Sequence, residues 1–314
     1  MRPAFSVIFL TTLIGAGQGL FIALYFGELG ATLGAWATPS RPYFALGSLL
    51  SLCLLGGGLL ASFFHLGRPE RAWRSAAQWR SSWLSREVIV LPAFMTAVAA
   101  FGLAHYFGAT ANLTLVLGAV GLALALLLFI CTGMIYACLP FLQEWHTPLT
   151  VINYILFGCA SGFLLGTAWA AAQVPALVAA SAIWTAGFTL AALLTRSATL
   201  VRNANLRPKS TVQTAIGVKH PRIAQKSQGS MGGSFNTREF FHARAIALLR
   251  AVKWGFLLLV FPVPLGLLAL GTSWASVPVL AIAFVLQYLG LLAERWFFFA
   301  QARHPQNLYY QAIS

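Results

Sequence analysis

Apolar residues run almost unbroken through eight stretches of the chain, at approximately 5–27, 43–66, 87–107, 113–138, 149–172, 175–200, 247–270 and 276–299, with polar residues gathered between them. A helix needs about 20 apolar residues to cross the hydrocarbon core of a bilayer. The pattern therefore predicts an all-α integral membrane protein, a bundle of eight transmembrane helices making one membrane domain over 1–314. The first stretch follows Met1-Arg2-Pro3 as a signal peptide does, but its apolar run is longer than the roughly 7–15 residues of a signal core. A retained helix is expected.

Composition supports lipid as the solvent: 59% of the 314 residues are hydrophobic and only 8% charged, against about 25% charged in an ordinary soluble domain. Small residues recur at helix-packing spacing in Gly15-x-x-x-Gly19, Gly56-Gly57-Gly58 and Gly158-x-x-x-Gly162-x-x-x-Gly166. Such spacing lets helix backbones approach closely. Pro262 and Pro264 fall inside the seventh span and are expected to kink it by freeing backbone carbonyls. The long connections after spans 2 and 6 occupy corresponding positions in two four-helix halves, though no residue-level repeat links the halves.

The charges are divided unevenly. With eight spans, the connections after spans 2, 4 and 6 share a side with both termini, and of the 20 Lys and Arg residues only Arg41 falls on the other side. By the positive-inside rule both termini and the even connections are cytoplasmic. So basic a face could hold anionic lipid, at about 1 kcal/mol per Lys or Arg near the surface, or dock an acidic protein. The connection at 201–246, with Pro208, Pro221, Gly232-Gly233 and interleaved Phe235, Phe240 and Phe241, reads as a long basic cytoplasmic docking loop. Its place beside a membrane argues against nucleic acid.

Cys53, Cys131, Cys138 and Cys159 lie in predicted spans without any C-x-x-C pair, so no iron–sulfur or zinc ligand set is encoded, and they read as buried small hydrophobes. The acids are all glutamates: Glu28, Glu70, Glu87, Glu144, Glu239 and Glu294. A haem held by two axial histidines is disfavoured, because His105 lies at the opposite membrane edge from His65, and His146, His220, His242 and His304 fall in connections or the tail. Glu294 and Arg295 read as an interfacial pair near the inner end of the last span.

The most informative stretch is Phe64-His65-Leu66-Gly67-Arg68-Pro69-Glu70-Arg71-Ala72-Trp73-Arg74, followed by Ser81-Ser82-Trp83-Leu84-Ser85-Arg86-Glu87. His65 ends the second predicted span and Glu87 begins the third, so both sit at the cytoplasmic edge and could face one shallow pocket. Reducing or oxidising a quinone moves two electrons and two protons. Its site needs a hydrogen-bond partner for each carbonyl and a group that exchanges protons near neutral pH, which suits imidazole and a partly desolvated glutamate. Trp83 and Trp73 could form an aromatic wall, Arg71 or Arg68 could steady a semiquinone or the carboxylate, and Gln18 in the first span is a further polar candidate. The alternative is structural: interfacial His, Trp and Arg residues anchor helix ends, and Glu87 could cap the third helix. Acids within spans are nevertheless functional suspects.

The eight spans, the F-H-L-G-x-P-x-R-A ending of the second and the S-W-L-S-x-E start of the third resemble the anchor subunit of dimethyl-sulfoxide-reductase-type molybdenum enzymes. The resemblance implies an anchor in the cell's inner membrane that holds a molybdopterin catalytic subunit and a four-cluster iron–sulfur subunit, exchanges electrons with menaquinone or ubiquinone, and carries no haem. It also implies quinone-binding roles for His65 and Glu87, with Gly67, Arg71 and Trp83 as motif neighbours. The familiar reductases carry their catalytic pair outside the membrane, whereas the charge distribution here puts His65, Glu87 and the docking loop inside. This is similar to the branch serving cytoplasmic sulfite-oxidising enzymes, as are the stretches TAIGVKHPRIAQKSQG and MGGSFNTREFF. Quinone reduction coupled to sulfite oxidation is expected, without proton translocation, because few acids lie in the spans. The other readings are a quinol-oxidising reductase anchor and, in a different class, an anion transporter, which would normally show a midplane polar or broken-helix site.

Overall fold

The computed structural model describes residues 3–223 and 246–305. Among these, eight helical stretches are long and apolar enough to cross a membrane, and there is no strand. They are α1 (Phe5–Thr32), α2 (Arg41–Phe63), α3 (Trp83–Tyr106), α4 (Ala111–Ala137), α5 (Pro148–Gln173), α6 (Val178–Ala204), a seventh formed by α8 (Ile246–Val260) and α9 (Pro262–Ser273), and α10 (Val277–Ala300). A short α7 (Val212–Ile216) lies in the described part of the connection after α6, and a 3₁₀ segment spans Pro69–Gln78 between α2 and α3. The candidate docking loop lies outside the described residues from 224 to 245.

The outer faces of these helices are apolar: Leu49, Leu60, Val116, Ile183, Leu194 and Val285 are exposed. A helix hydrophobic all round suits a membrane span or a buried core, and here the exposed apolar faces ring the bundle as a lipid contact would require. Cys53 and Cys138 share this outward placement while Cys131 and Cys159 are buried, so burial holds for two of the four cysteines.

Two helices, α1 and α5, form the centre. A Cβ added at Gly19 would lie 2.1 Å from the Gly158 carbonyl oxygen, and one at Gly162 would lie 2.2 Å from the carbonyl carbon of Gly19. The two small-residue motifs thus belong to a single contact, in which any side chain would push the backbones apart. Around this axis α2 and α4 pack on α1, α6 packs on α5, α3 closes against α2 and α4, and α10 bridges α5 and α8.

Local chemistry sets the helix ends that matter. Ser82 accepts a hydrogen bond from the Ser85 amide and caps α3; the helix therefore begins four residues before the predicted boundary at 87, and Glu87 falls in its second turn without a capping role. Helix α2 stops at Phe63, so His65 lies beyond it in a turn ahead of Gly67 and Pro69. The seventh span is interrupted at Phe261, as its prolines predict. Pro264 has no N–H to offer the carbonyl four residues earlier, that of Val260, and Gln287 on α10 donates to it instead at 3.2 Å.

The start of α1, the α4–α5 connection and the end of α10 meet at one end of the bundle. Ile8, Leu142, Trp145 and Phe298 form one apolar cluster there, and the Trp145 indole donates to the Phe298 carbonyl at 3.0 Å. The described start of the connection after α6 joins the same end, since Arg202 donates to the Gln143 carbonyl at 3.1 Å and the Lys209 amide to Gln143 Oε1 at 3.2 Å.

Candidate functional site

A small recess, with a cavity volume of about 20 Å³, opens among α1, α3, α4, α5 and α10. Its polar lining follows from helix register. Glu87 lies in the second turn of α3, Thr132 five residues before the end of α4, Tyr154 six residues into α5 and Arg295 five residues before the end of α10. At about 1.5 Å per residue, antiparallel packing brings all four to one depth, about 8 Å inside the end where Ile8, Trp145 and Phe298 meet. Gln18, further along α1, closes the deep side.

The Glu87 carboxylate is 8% exposed and accepts a hydrogen bond from the Thr132 hydroxyl. Gln18 is held by donation from Nε2 to the Ala125 carbonyl at 2.8 Å. Opposite Glu87, the Arg295 guanidinium lies over the face of Tyr154, 3.6 Å from the ring centroid, and approaches Glu294 at 3.4 Å. Glu294 is paired more closely with Arg196 of α6 at 2.8 Å. Arg196, Glu294 and Arg295 are all nearly inaccessible, at 1%, 1% and 4%, so the pair expected at the membrane interface is instead the interior part of a three-residue ionic cluster. The Tyr154 hydroxyl is buried and makes no well-formed hydrogen bond.

A second buried pair lies toward the other end of α1. Glu28 accepts from the Thr114 hydroxyl and approaches His105 Nε2 at 3.3 Å, while the His105 ring stacks on Phe44 with centroids 4.2 Å apart. Between this pair and the recess stands an apolar aromatic layer, with Phe21 edge-on to Phe94 at 5.5 Å and to Phe101 at 5.4 Å.

Of the six residues singled out in the sequence, Gln18 and Glu87 line the recess together. Trp83 is half-buried, packs against the central apolar cluster, and has the Arg86 guanidinium 4.2 Å over its ring. Arg86 also donates to the Trp79 and Arg80 carbonyls at 2.9 and 2.8 Å, which ties the α2–α3 connection to α3. His65, Arg68 and Arg71 are exposed on that connection and do not line the recess; Arg71 only approaches Glu70, at 3.8 Å. Partial desolvation lowers the pKa of His65 from the usual 6.5. Thr132, Tyr154 and Arg295 are lining residues that sequence reasoning missed. For Arg295 a signal was present, a cation inside an apolar span; Thr132 and Tyr154 carry none, since isolated Thr and Tyr residues are common in spans.

The fold and the recess define a class: a multi-pass membrane protein with a small recess, apolar but carrying a few polar side chains, just inside one end of a helical bundle. The chain belongs to the family of DMSO reductase anchor subunits (DmsC), which it matches over residues 1–301. It is also 54% identical, over the full length of both chains, to a sulfite dehydrogenase subunit from Allochromatium vinosum. The chain is thus a membrane anchor subunit of an oxidoreductase.

Proposed function

We propose that this chain anchors a sulfite-oxidising complex at the inner membrane and holds a quinone head group in the recess beside Glu87, where the quinone is reduced. The observation that carries the reading is the convergence of Glu87, Gln18, Tyr154 and Arg295 on one recess at one end of the bundle. Quinone reduction adds two electrons and two protons. The electrons come from an iron–sulfur partner subunit fed by a molybdopterin subunit, as the family implies; on this chain Glu87 hands over protons, and Tyr154 and Arg295 supply donors to the carbonyl oxygens. The recess is narrow, so a ring enters only as its lining side chains rearrange.

His65 acts outside the recess. Exposed on the α2–α3 connection, with a pKa lowered by partial desolvation, it exchanges protons with water and feeds them toward Glu87. The basic connections support a cytoplasmic position for this end of the bundle, where the partner subunits dock, with the 201–246 loop as part of their seat. The aromatic layer of Phe21, Phe94 and Phe101 separates the recess from the Glu28–His105 pair, which favours electron delivery without proton translocation.

The test is quinone-linked turnover of the purified complex beside turnover with an artificial acceptor that bypasses the anchor. Glu87→Gln is expected to lower quinone turnover by about tenfold or more with artificial-acceptor activity unchanged, and His65→Ala by a smaller factor. Unchanged quinone turnover in Glu87→Gln would place the quinone elsewhere.

A further inference from the structure

The interior ionic cluster does not balance. It holds two guanidinium groups, Arg196 and Arg295, against one carboxylate, Glu294, and all three are at least nineteen-twentieths buried. Arg196 takes the close contact with Glu294 at 2.8 Å, leaving Arg295 the long one at 3.4 Å. A guanidinium has five N–H donors and keeps its charge in proteins. Among the described residues only the approach to Glu294 engages one of those five. The remaining contacts of Arg295 are with ring faces, Tyr154 at 3.6 Å, Phe157 at 5.6 Å and Phe298 at 5.8 Å. These rings fix the plane of the group and leave its donors unused.

An uncompensated buried charge is costly, several kcal/mol even after relaxation. Arg295 lines the recess, and so does Glu87, the carboxylate that shares that recess with it. When Glu87 is protonated, the recess is left with a net positive charge and with N–H donors on a residue that lines it. Resting on the quinone reading above, we infer that Arg295 makes the recess selective for a quinone head group bearing a negatively charged oxygen, and that Arg295 is the residue binding that oxygen. Glu294 and Arg196 act through it: by sharing one carboxylate unequally they hold Arg295 in place without neutralising it. The Tyr154 ring, 3.6 Å from the guanidinium carbon, holds the group beside the ligand, to which its planar fork donates.

The chemistry of naphthoquinones supplies the probe pair. A ring hydroxyl next to a quinone carbonyl is a vinylogous acid and is ionised near neutral pH, whereas the methyl-substituted ring of the same size is neutral. Isothermal titration of the intact purified complex with each gives a ratio of affinities, measured for the wild type, Arg295→Gln and Arg295→Lys. The wild type is expected to bind the anion about tenfold or more tightly than the neutral ring, which corresponds to about 1.4 kcal/mol. Arg295→Gln brings the ratio close to one, and Arg295→Lys, which keeps the charge but loses the fork, retains part of it. Arg295→Gln leaves Glu294 paired with Arg196; should that variant fail to assemble, a ratio lowered in Arg295→Lys assigns the preference to this residue and an unaltered ratio in Arg295→Lys overturns the inference. Equal affinities for the two rings in the wild type, or an anion preference that survives in Arg295→Gln, overturn the inference while leaving the quinone site standing. Displacement of the anionic ring by millimolar sulfate would show a general anion site and overturns it too. Absence of binding by either ring removes the quinone reading together with this one.

Discussion

Thr132 donates to Glu87, and that single hydroxyl decides whether the carboxylate is solvated by protein or left bare. A buried polar group deprived of its partner costs about 1–3 kcal/mol. Thr132→Val keeps the shape of the side chain and removes the donor, so it is expected to lower the melting temperature of the purified protein and to weaken quinone binding, seen as a raised KM with artificial-acceptor activity unaltered. The same substitution at Thr114, which donates to Glu28, is expected to lower the melting temperature and leave that KM unchanged. Glu28 lies ten residues beyond Gln18 on α1, about 15 Å away, with the aromatic layer between. Glu87 and Gln18 were legible in the sequence because an acid and an amide stand out in apolar spans. His65, Arg68 and Arg71 stood out equally, yet the second helix ends at Phe63, before His65, and the connection that follows leaves all three exposed. Conspicuous residue type marks a candidate; the side of the backbone on which it projects is set by the neighbouring helices.

Helix boundaries and breaks follow from residues a few positions apart, and most were readable: the spans, the interruption at Pro262 and the small-residue motifs. The partners of those features were not. The carbonyl of Val260 loses its helical donor to Pro264 and regains one from Gln287 on a different helix, a pairing across 27 residues that spacing alone does not indicate. Gln287→Leu is therefore expected to destabilise the protein by about 1–2 kcal/mol. Pro264→Ala restores an N–H at the right position, so the double variant is expected to recover stability relative to Gln287→Leu; thermal melts of the four proteins in one detergent make the cycle. Independent, additive losses would show that Gln287 does not serve this carbonyl.

For the whole molecule, the apolar outer faces and the shared end of α1, α4 and α10 make a bundle that crosses lipid an even number of times, and the proposed sidedness, with that end in the cytoplasm, rests on the distribution of Lys and Arg. It is testable in membrane vesicles. Because Cys53 and Cys138 are exposed, labelling starts from a variant lacking native cysteines. A single cysteine at Ser75 is expected to react with an impermeant maleimide only in inside-out vesicles, and one at Thr110 only in right-side-out vesicles; the reverse pattern would move the recess and the docking face to the other side of the membrane.

The sequence by itself determined the solvent, the number of spans, the glycine motifs available for close packing and the charged end, because hydrophobic run length and loop charge are properties of contiguous residues. Only the tertiary structure decided which polar groups meet. Glu87, Thr132, Tyr154 and Arg295 come from four helices and share a depth through antiparallel packing, and Arg196, Glu294 and Arg295 join through the approach of α6 to α10. Long-range pairing of this kind depends on helix rotation and register, which the close contact of α1 with α5 sets and no local pattern encodes.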